Sequence, residues 1–159
     1  MKCLLLFLGL FAVSAWATKS IPDEFLGKWA HEKDENFDEF LQKKGVGWLT
    51  RKLILFSSVT KVFAKDKKSN GYVMESLTSK KNVKYEGVQL GKEFTAAGMD
   101  STKHKITFDF ADGKLTEKHI RFESEGQPEE TYAYYVKDGK LIMEMTNGDL
   151  VAKRYFKKA

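Results

Sequence analysis

Cysteine is almost missing from this sequence of 159 residues: its single thiol, Cys3, stands near the start. One cysteine makes no internal disulfide, which excludes the stapled scaffolds common among small secreted domains. Proline is scarce as well, with Pro22 and Pro128 alone, and no Asn-x-Ser/Thr sequon is present, so no N-linked sugar is expected. No apolar run reaches the roughly 20 residues that a bilayer-spanning helix needs. Catalytic signatures are missing too: there is no G-x-S-x-G elbow, no H-E-x-x-H and no paired-carboxylate motif. The three histidines, His31, His104 and His119, lack metal-ligand spacing and fall on three different predicted strands. They read as ordinary strand or cavity residues. An enzyme, a cofactor and a metal site are therefore not expected.

What is present begins with an address. Met1-Lys2 precedes an apolar run, Cys3 to Val13, and Ala15-Trp16-Ala17 fits an A-x-A cleavage site. A positive start, a short apolar core and a small-residue exit describe a secretory signal peptide, residues 1–17, and hence a secreted, extracellular protein. Taking 17 from 159 leaves 142 residues, 18–159, enough for one domain with a real core. That segment carries 26 Lys and Arg against 22 Asp and Glu, a net +4, with the two signs interleaved. Such mixing describes a solvated surface rather than a nucleic-acid groove. No nucleic-acid partner is expected, and the expected form is a monomer.

Most of the chain reads as β-strand. Turn signals such as Ser69-Asn70-Gly71, Ala111-Asp112-Gly113, Glu125-Gly126-Gln127, Lys137-Asp138-Gly139 and Asn147-Gly148 recur at roughly 8- to 12-residue spacing. Asp-Gly and Asn-Gly pairs favour hairpins, because tight turns need positive φ. They divide the chain into ten predicted strands: about 25–33, 59–66, 71–79, 82–89, 93–97, 103–110, 114–122, 130–137, 140–146 and 149–157. The class is all-β, an antiparallel barrel or sandwich. Alternation then sorts the side chains. In "DLVAKRYFKK", Lys153 and Lys157 mark the wet face, which turns Arg154 and Phe156 inward. Met143 and Met145 oppose Glu144, and Tyr132, Tyr134 and Val136 oppose Lys137. In "KLTEKHIRF" the direction is ambiguous, with Glu117, His119 and Arg121 against Thr116, Lys118 and Ile120. An interior of Met, Phe, Tyr, His and Arg differs from the Val, Ile and Leu of a solid core. It suggests water and a ligand, in a barrel wider than the roughly eight strands that side chains alone can fill. Arg154 could instead pair with a core carboxylate such as Glu117 when no ligand is bound.

One stretch is not β. "DENFDEFLQKKGVGWLTRKLI" reads as two short helices broken at Gly45-Val46-Gly47. Asn36 with Glu39 three residues on resembles a capping box, and Phe37, Phe40 and Leu41 form an apolar stripe. Trp48, Leu49, Leu53 and Phe56 line the second helix, with Lys43, Lys44, Arg51 and Lys52 on or near its polar side. Between the first two strands, such a pair can plug the open end of a barrel and act as its lid.

Gly27-x-Trp29, Glu35-Asn36-Phe37-Asp38, Gly45-Val46-Gly47 with Thr50-Arg51, "DGKLIMEMTNG" and "VAKRYF" together resemble the intracellular lipid-binding protein family, the fatty-acid-binding proteins and their retinoid-binding relatives. With its leader and longer hairpins, the chain is similar to the secreted nematode branch. The resemblance implies a ten-stranded, up-and-down β-clam of calycin type whose helix-turn-helix gates a fatty-acid portal. It also implies a carboxylate site of two arginines and a tyrosine. Arg154 matches the last-strand arginine, Phe156 stands where the family has its tyrosine, and Tyr134 stands where it has the other arginine. Arg154 is thus expected to hold the carboxylate, helped by Tyr134 and ordered water. Tyr132, Met143, Met145 and Phe156 fall around it. Phe37, Trp48, Leu49, Arg51 and Lys52 form the lid, and Lys80 replaces the usual portal aromatic. His31, where an apolar residue is usual, reads as a surface or strand-edge residue. The expected cargo is a long-chain fatty acid, with a retinoid as the alternative of the same fold and a cargo-free structural protein as the alternative of another class. A lipocalin is the nearest structural rival, but it would normally lack the helix pair. The basic helices could also touch anionic membranes transiently.

Overall fold

The computed structural model describes residues 18–122 and 129–159. The signal-peptide reading and the Glu125-Gly126-Gln127 turn lie outside the described residues. After a short 3-10 turn, Asp23–Phe25, the elements are β1 (Gly27–Glu35), α1 (Phe37–Lys43), α2 (Trp48–Phe56), β2 (Val59–Lys65), β3 (Tyr72–Thr78), β4 (Asn82–Val88), β5 (Phe94–Ala97), β6 (Lys103–Ala111), β7 (Lys114–Arg121), β8 (Glu130–Lys137), β9 (Lys140–Asn147) and β10 (Leu150–Lys158). The ten strands join one antiparallel sheet in the order β4-β3-β2-β1-β10-β9-β8-β7-β6-β5. Every sequential neighbour except β4 and β5 pairs, and β1 pairs with β10 in the middle.

The turns follow their chemistry. Asp112-Gly113 and Asp138-Gly139 take positive φ at both positions, 52° and 75° in one and 52° and 72° in the other, the backbone of a two-residue hairpin that keeps the right-handed twist. Gly71 has a different reason. A Cβ there would lie 2.5 Å from the Val88 carbonyl oxygen, so the absence of a side chain lets β3 and β4 approach. The β4 and β5 edges are bridged by side chains: Tyr85 donates to the Ala97 carbonyl at 3.0 Å, and the Lys81 ammonium reaches Gly98 O at 2.9 Å and Ser101 Oγ at 2.7 Å. Such side-chain cover protects an open strand edge.

The strands bury one face on a common core that includes Trp29, Phe63, Phe108, Leu115, Tyr134, Leu141 and Phe156. The Trp29 indole N–H donates to Phe25 O at 2.7 Å, fixing the 3-10 turn beneath the sheet. Helix α1 closes the other part of this core with Phe37, Phe40 and Leu41, all buried.

Two expectations for the helix pair fail. Asn36 does not cap α1: it sits in the left-handed region (φ 54°) and its side-chain amide donates to Val151 O at 3.1 Å. It tethers the lid to β10. In α2 the stripe of Trp48, Leu49, Leu53 and Phe56 faces solvent, at 64%, 65%, 48% and 88% exposure. Ile54 and Leu55 pack against the core instead, joined by Val46 from the turn. So α1 plugs the barrel, and α2 rides on it with its apolar face outward.

Replacing Gly71 with Ala is expected to lower stability by about 1–3 kcal/mol, the range for forcing an atom into a filled space. Urea unfolding measures it. An unchanged midpoint would show that β4 does not need the close approach.

Candidate functional site

The interior polar groups come from strands on opposite walls. Burial settles the ambiguity in β7: Leu115, Glu117 and His119 point inward. Glu117, only 7% exposed, accepts from the Tyr134 hydroxyl at 2.6 Å and pairs with His119 Nε2 at 2.8 Å. Lys61, from β2 across the barrel, brings its ammonium to 3.8 Å from Glu117 and donates to Ser76 Oγ at 2.8 Å. Burial alone would raise the Glu117 pKa. The Lys61 charge and the His119 and Tyr134 hydrogen bonds outweigh it and hold the carboxyl down at about 2. Burial lowers the Lys61 pKa, and the Glu117 charge offsets part of that. Burial and the neighbouring Glu117 push Tyr134 well up, which keeps its hydroxyl protonated as a donor.

The chain of contacts continues outward. His119 Nδ1 meets His104 Nδ1 at 3.2 Å, and His104 Nε2 lies 3.0 Å from Asp100 and 2.9 Å from Thr102 Oγ1. Asp100 in turn pairs with Arg121 at 2.9 Å. Burial opposes its charge, but the Thr102 amide and hydroxyl with His104 bring its pKa to about 2. Sequence spacing kept the histidines on separate strands, and β6 and β7 lie side by side, so two of them meet.

Arg154 points inward and is buried, but its partner is Asp34, not Glu117. Its Nε donates to Asp34 Oδ1 at 2.8 Å and an Nη to Oδ2 at 3.3 Å, and the guanidinium stacks over the Phe37 ring at 4.2 Å. A β-bulge makes this possible. The β1–β10 register shifts between His31 and Lys33, so Asp34 comes opposite Arg154. Without that extra residue, alternation would turn Asp34 to solvent. His31 is not a surface residue: its side chain is mostly buried and pairs with Asp34 at 2.7 Å. Burial raises the Asp34 pKa, and the bonds from His31 and Arg154 outweigh it and bring it below the usual value.

Of the other expected site residues, Met143, Met145 and Phe156 are buried in the core. Tyr132 faces the same interior and donates to Glu130 rather than to a central group. Lys80 is exposed on the β3–β4 turn. Arg51 does not stand free on the lid: it holds Asp38 at 2.7 Å and Val46 O at 2.9 Å, and Lys52 lies 3.7 Å from Asp38. Lys43 donates to Asn147 O at 2.8 Å and Lys44 to Glu130 at 2.6 Å, so two lysines latch the turn after α1 to the barrel rim. The expected wide cavity is also reduced. A cavity of about 10 Å³ is lined by Lys61, Phe63, Met74, Glu75, Ser76, Tyr85, Phe108 and Glu117, far below the 300–1,000 Å³ usual for ligand sites. No fully enclosed side-chain N or O among the described residues lacks a partner. Lys61, Asp34 and Asp100 were missed. Lys61 shares its strand face with Phe63 and could have been found; Asp34 could not, because a bulge hides its phase.

Glu117→Gln is expected to cost about 3 kcal/mol, as when one partner of a buried pair is removed. Its carboxyl pKa is depressed in the fold. The stability it supplies is therefore full above the unfolded value near 4.5 and is lost as pH falls towards about 2. Urea melts between pH 5 and about 2 should show a shallower pH dependence in the variant. Parallel profiles would mean that the carboxylate is not stabilised.

No family model matches the chain. It is 46% identical over 148 residues to fatty acid-binding protein homolog 3 of Caenorhabditis elegans, covering 93% of this chain and 90% of that protein. Among solved structures it is similar to As-p18, described as an extracellular fatty acid binding protein, with a TM-score of 0.85 and 42% identity over 89% of this chain and all of that one. A Schistosoma mansoni fatty acid binding protein, solved in complex with arachidonic acid, superposes with a TM-score of 0.70 at 25% identity, covering 86% of this chain and 96% of that one. With ten strands in one nearly closed sheet, the helix pair between β1 and β2 and this degree of identity, the chain belongs to the fatty acid-binding protein family.

Proposed function

We propose that this protein is a secreted carrier of long-chain fatty acids that holds cargo inside the barrel without transforming it. The observation that carries the reading is the buried Arg154, whose guanidinium already holds a carboxylate, that of Asp34, within a fatty acid-binding protein fold. A cargo carboxylate fits the same chemistry. A guanidinium has five donors, and Asp34 takes two of them. The cargo carboxylate shares the group with Asp34, or displaces it towards His31. Tyr134 contributes when its hydroxyl turns from Glu117, and ordered water completes the shell. Met143, Met145, Phe156 and Tyr132 line the path of the acyl chain. Methionines adapt to such a load, because the unbranched thioether changes rotamer at little cost. A chain of about 16 methylenes gains roughly 13 kcal/mol of gross burial at about 0.8 kcal/mol each. Binding costs remove several kcal/mol or more. Micromolar to nanomolar affinity therefore comes from the tail, and Arg154 sets orientation.

Secretion is supported by the leader-like start of the sequence and by the extracellular description of As-p18. The outward face of α2 gives the carrier a way to meet its source. Trp48, Leu49, Leu53 and Phe56 present exposed apolar area, with Lys52 beside them. Apolar residues flanked by cations suit the surface of an anionic bilayer.

Arg154→Ala should weaken binding of a fatty acid by about tenfold or more, the scale of a lost charge-assisted hydrogen bond, and weaken the matching alcohol much less. Isothermal titration with both ligands decides. Equal losses would remove the carboxylate role. For the membrane step, transfer of a fluorescent fatty acid to vesicles should quicken as anionic lipid rises, and Phe56→Ala with Trp48→Ala should slow it. Rates indifferent to lipid charge and to both substitutions would mean transfer through solution.

A further inference from the structure

Arg154 and Lys61 are inward cations, and each already faces one carboxylate: Asp34 for Arg154 and Glu117 for Lys61. Their charges balance before any ligand enters. A fatty acid arrives as an anion. Placed at Arg154, it would set two carboxylates on one guanidinium, and like charges on one site disfavour the ionised form of both. The added charge needs an answer from the protein.

Asp34 has a second partner to turn to. Its Oδ1 meets Arg154 Nε at 2.8 Å and His31 Nε2 at 2.7 Å, so the carboxylate is already shared between guanidinium and imidazole. The bulge in β1 is what brings Asp34 opposite Arg154. His31 is set edge-on to the Phe156 ring, with centroids 5.7 Å apart, and its side chain keeps 14% exposure, enough to meet solvent. A neutral imidazole that donates from Nε2 has a bare Nδ1. One proton there makes it a cation, and its contact with Asp34 an ion pair. The charged groups that bear on Asp34 are Arg154 from β10 and His31 from its own strand. Helix α1 presents only the Phe37 ring, over the guanidinium. Lys61 from β2 and Tyr134 from β8 both feel the guanidinium charge, and both have Glu117 of β7 as their nearer ionised partner.

We propose that a fatty acid carboxylate enters this site together with one proton: the ligand takes Arg154, Asp34 turns to His31, and His31 draws the proton from solvent. The proposal rests on the carrier reading above and makes Asp34 and His31 the groups that decide how headgroup charge is received. A neutral headgroup brings no charge and needs no proton.

The test counts protons. Isothermal titration with lauric acid and with dodecanol at about pH 8, where imidazole is ordinarily neutral, is run in phosphate and in Tris, whose ionisation enthalpies differ. Laurate should bind the wild type with uptake of close to one proton, and dodecanol with none. By linkage, laurate affinity should fall about tenfold per pH unit as pH rises from about 7 to about 8.5, while dodecanol affinity stays level. In Asp34→Asn the ligand takes the place of the lost charge. Uptake should vanish, and laurate should bind about tenfold more tightly than to the wild type at about pH 8. In His31→Gln uptake should vanish and laurate should bind more weakly. Circular dichroism checks both folds, and Asp34→Ser replaces Asp34→Asn if that variant fails to fold. Laurate bound by the wild type without proton uptake overturns the proposal and leaves the carrier reading standing. Uptake that survives in either variant overturns it as well, because the proton then rests elsewhere. If neither laurate nor dodecanol binds at any pH, the carrier reading itself falls, and the proton coupling with it.

Discussion

The barrel turns on one buried carboxylate. Glu117 collects a hydroxyl from β8, an imidazole from its own strand and the field of an ammonium from β2 on the far wall. Those contacts span the interior, so the polar network cross-braces two walls that the sheet order keeps far apart. A buried charge without partners would cost several kcal/mol, so the three contacts together keep the carboxylate inside the barrel. Tyr134 presents its hydroxyl, His119 its Nε2 and Lys61 its cation. The network therefore links β2 to β7 and β8 across the core that their apolar side chains share.

Arg154 and Asp34 make a second pair of this kind at the β1–β10 seam. Both charges were prepared before any ligand arrives. The guanidinium is stacked on Phe37, the first residue of α1, so the inward arginine and the helix pair share a contact. The lid is asymmetric for a related reason. Helix α1 is fastened by its buried rings and by the nearby Asn36, Lys43 and Lys44 contacts to β10, the β9–β10 turn and β8. Helix α2 is fastened mainly to α1, through Arg51 and Asp38, and spends its largest side chains on the solvent side.

Most of the fold was legible because strand alternation and Asp-Gly turns are local signals. All ten strands fall within two residues or so of their expected limits, and Arg154, Phe156, Met143 and Met145 face inward as their phase requires. What escaped was relational. Alternation says that Arg154 is inside but not which carboxylate meets it, and the one that does is brought round by a bulge that breaks the alternation. The histidines looked isolated in sequence because antiparallel pairing, which places His104 beside the end of β7, is invisible along one strand. Helix α2 misled in another way. Its apolar stripe was genuine, but amphipathicity gives a face and not its partner, and here the buried side is the narrower one of Ile54 and Leu55.

The paired interior also shapes how selectivity arises. In a dry apolar barrel, affinity would track chain length alone, at about 0.8 kcal/mol per methylene. On the carrier reading, a ligand must pass groups that already satisfy one another. A polar function gains only the difference between its own hydrogen bonds and those it replaces, while a misplaced one leaves a buried charge unpaired. That asymmetry penalises wrong ligands more strongly than it rewards right ones. On the carrier reading, the hydrocarbon tail thus supplies strength, and the paired charges Asp34–Arg154 and Lys61–Glu117 supply discrimination. The 3.8 Å gap between Lys61 and Glu117 is the loosest of these pairings.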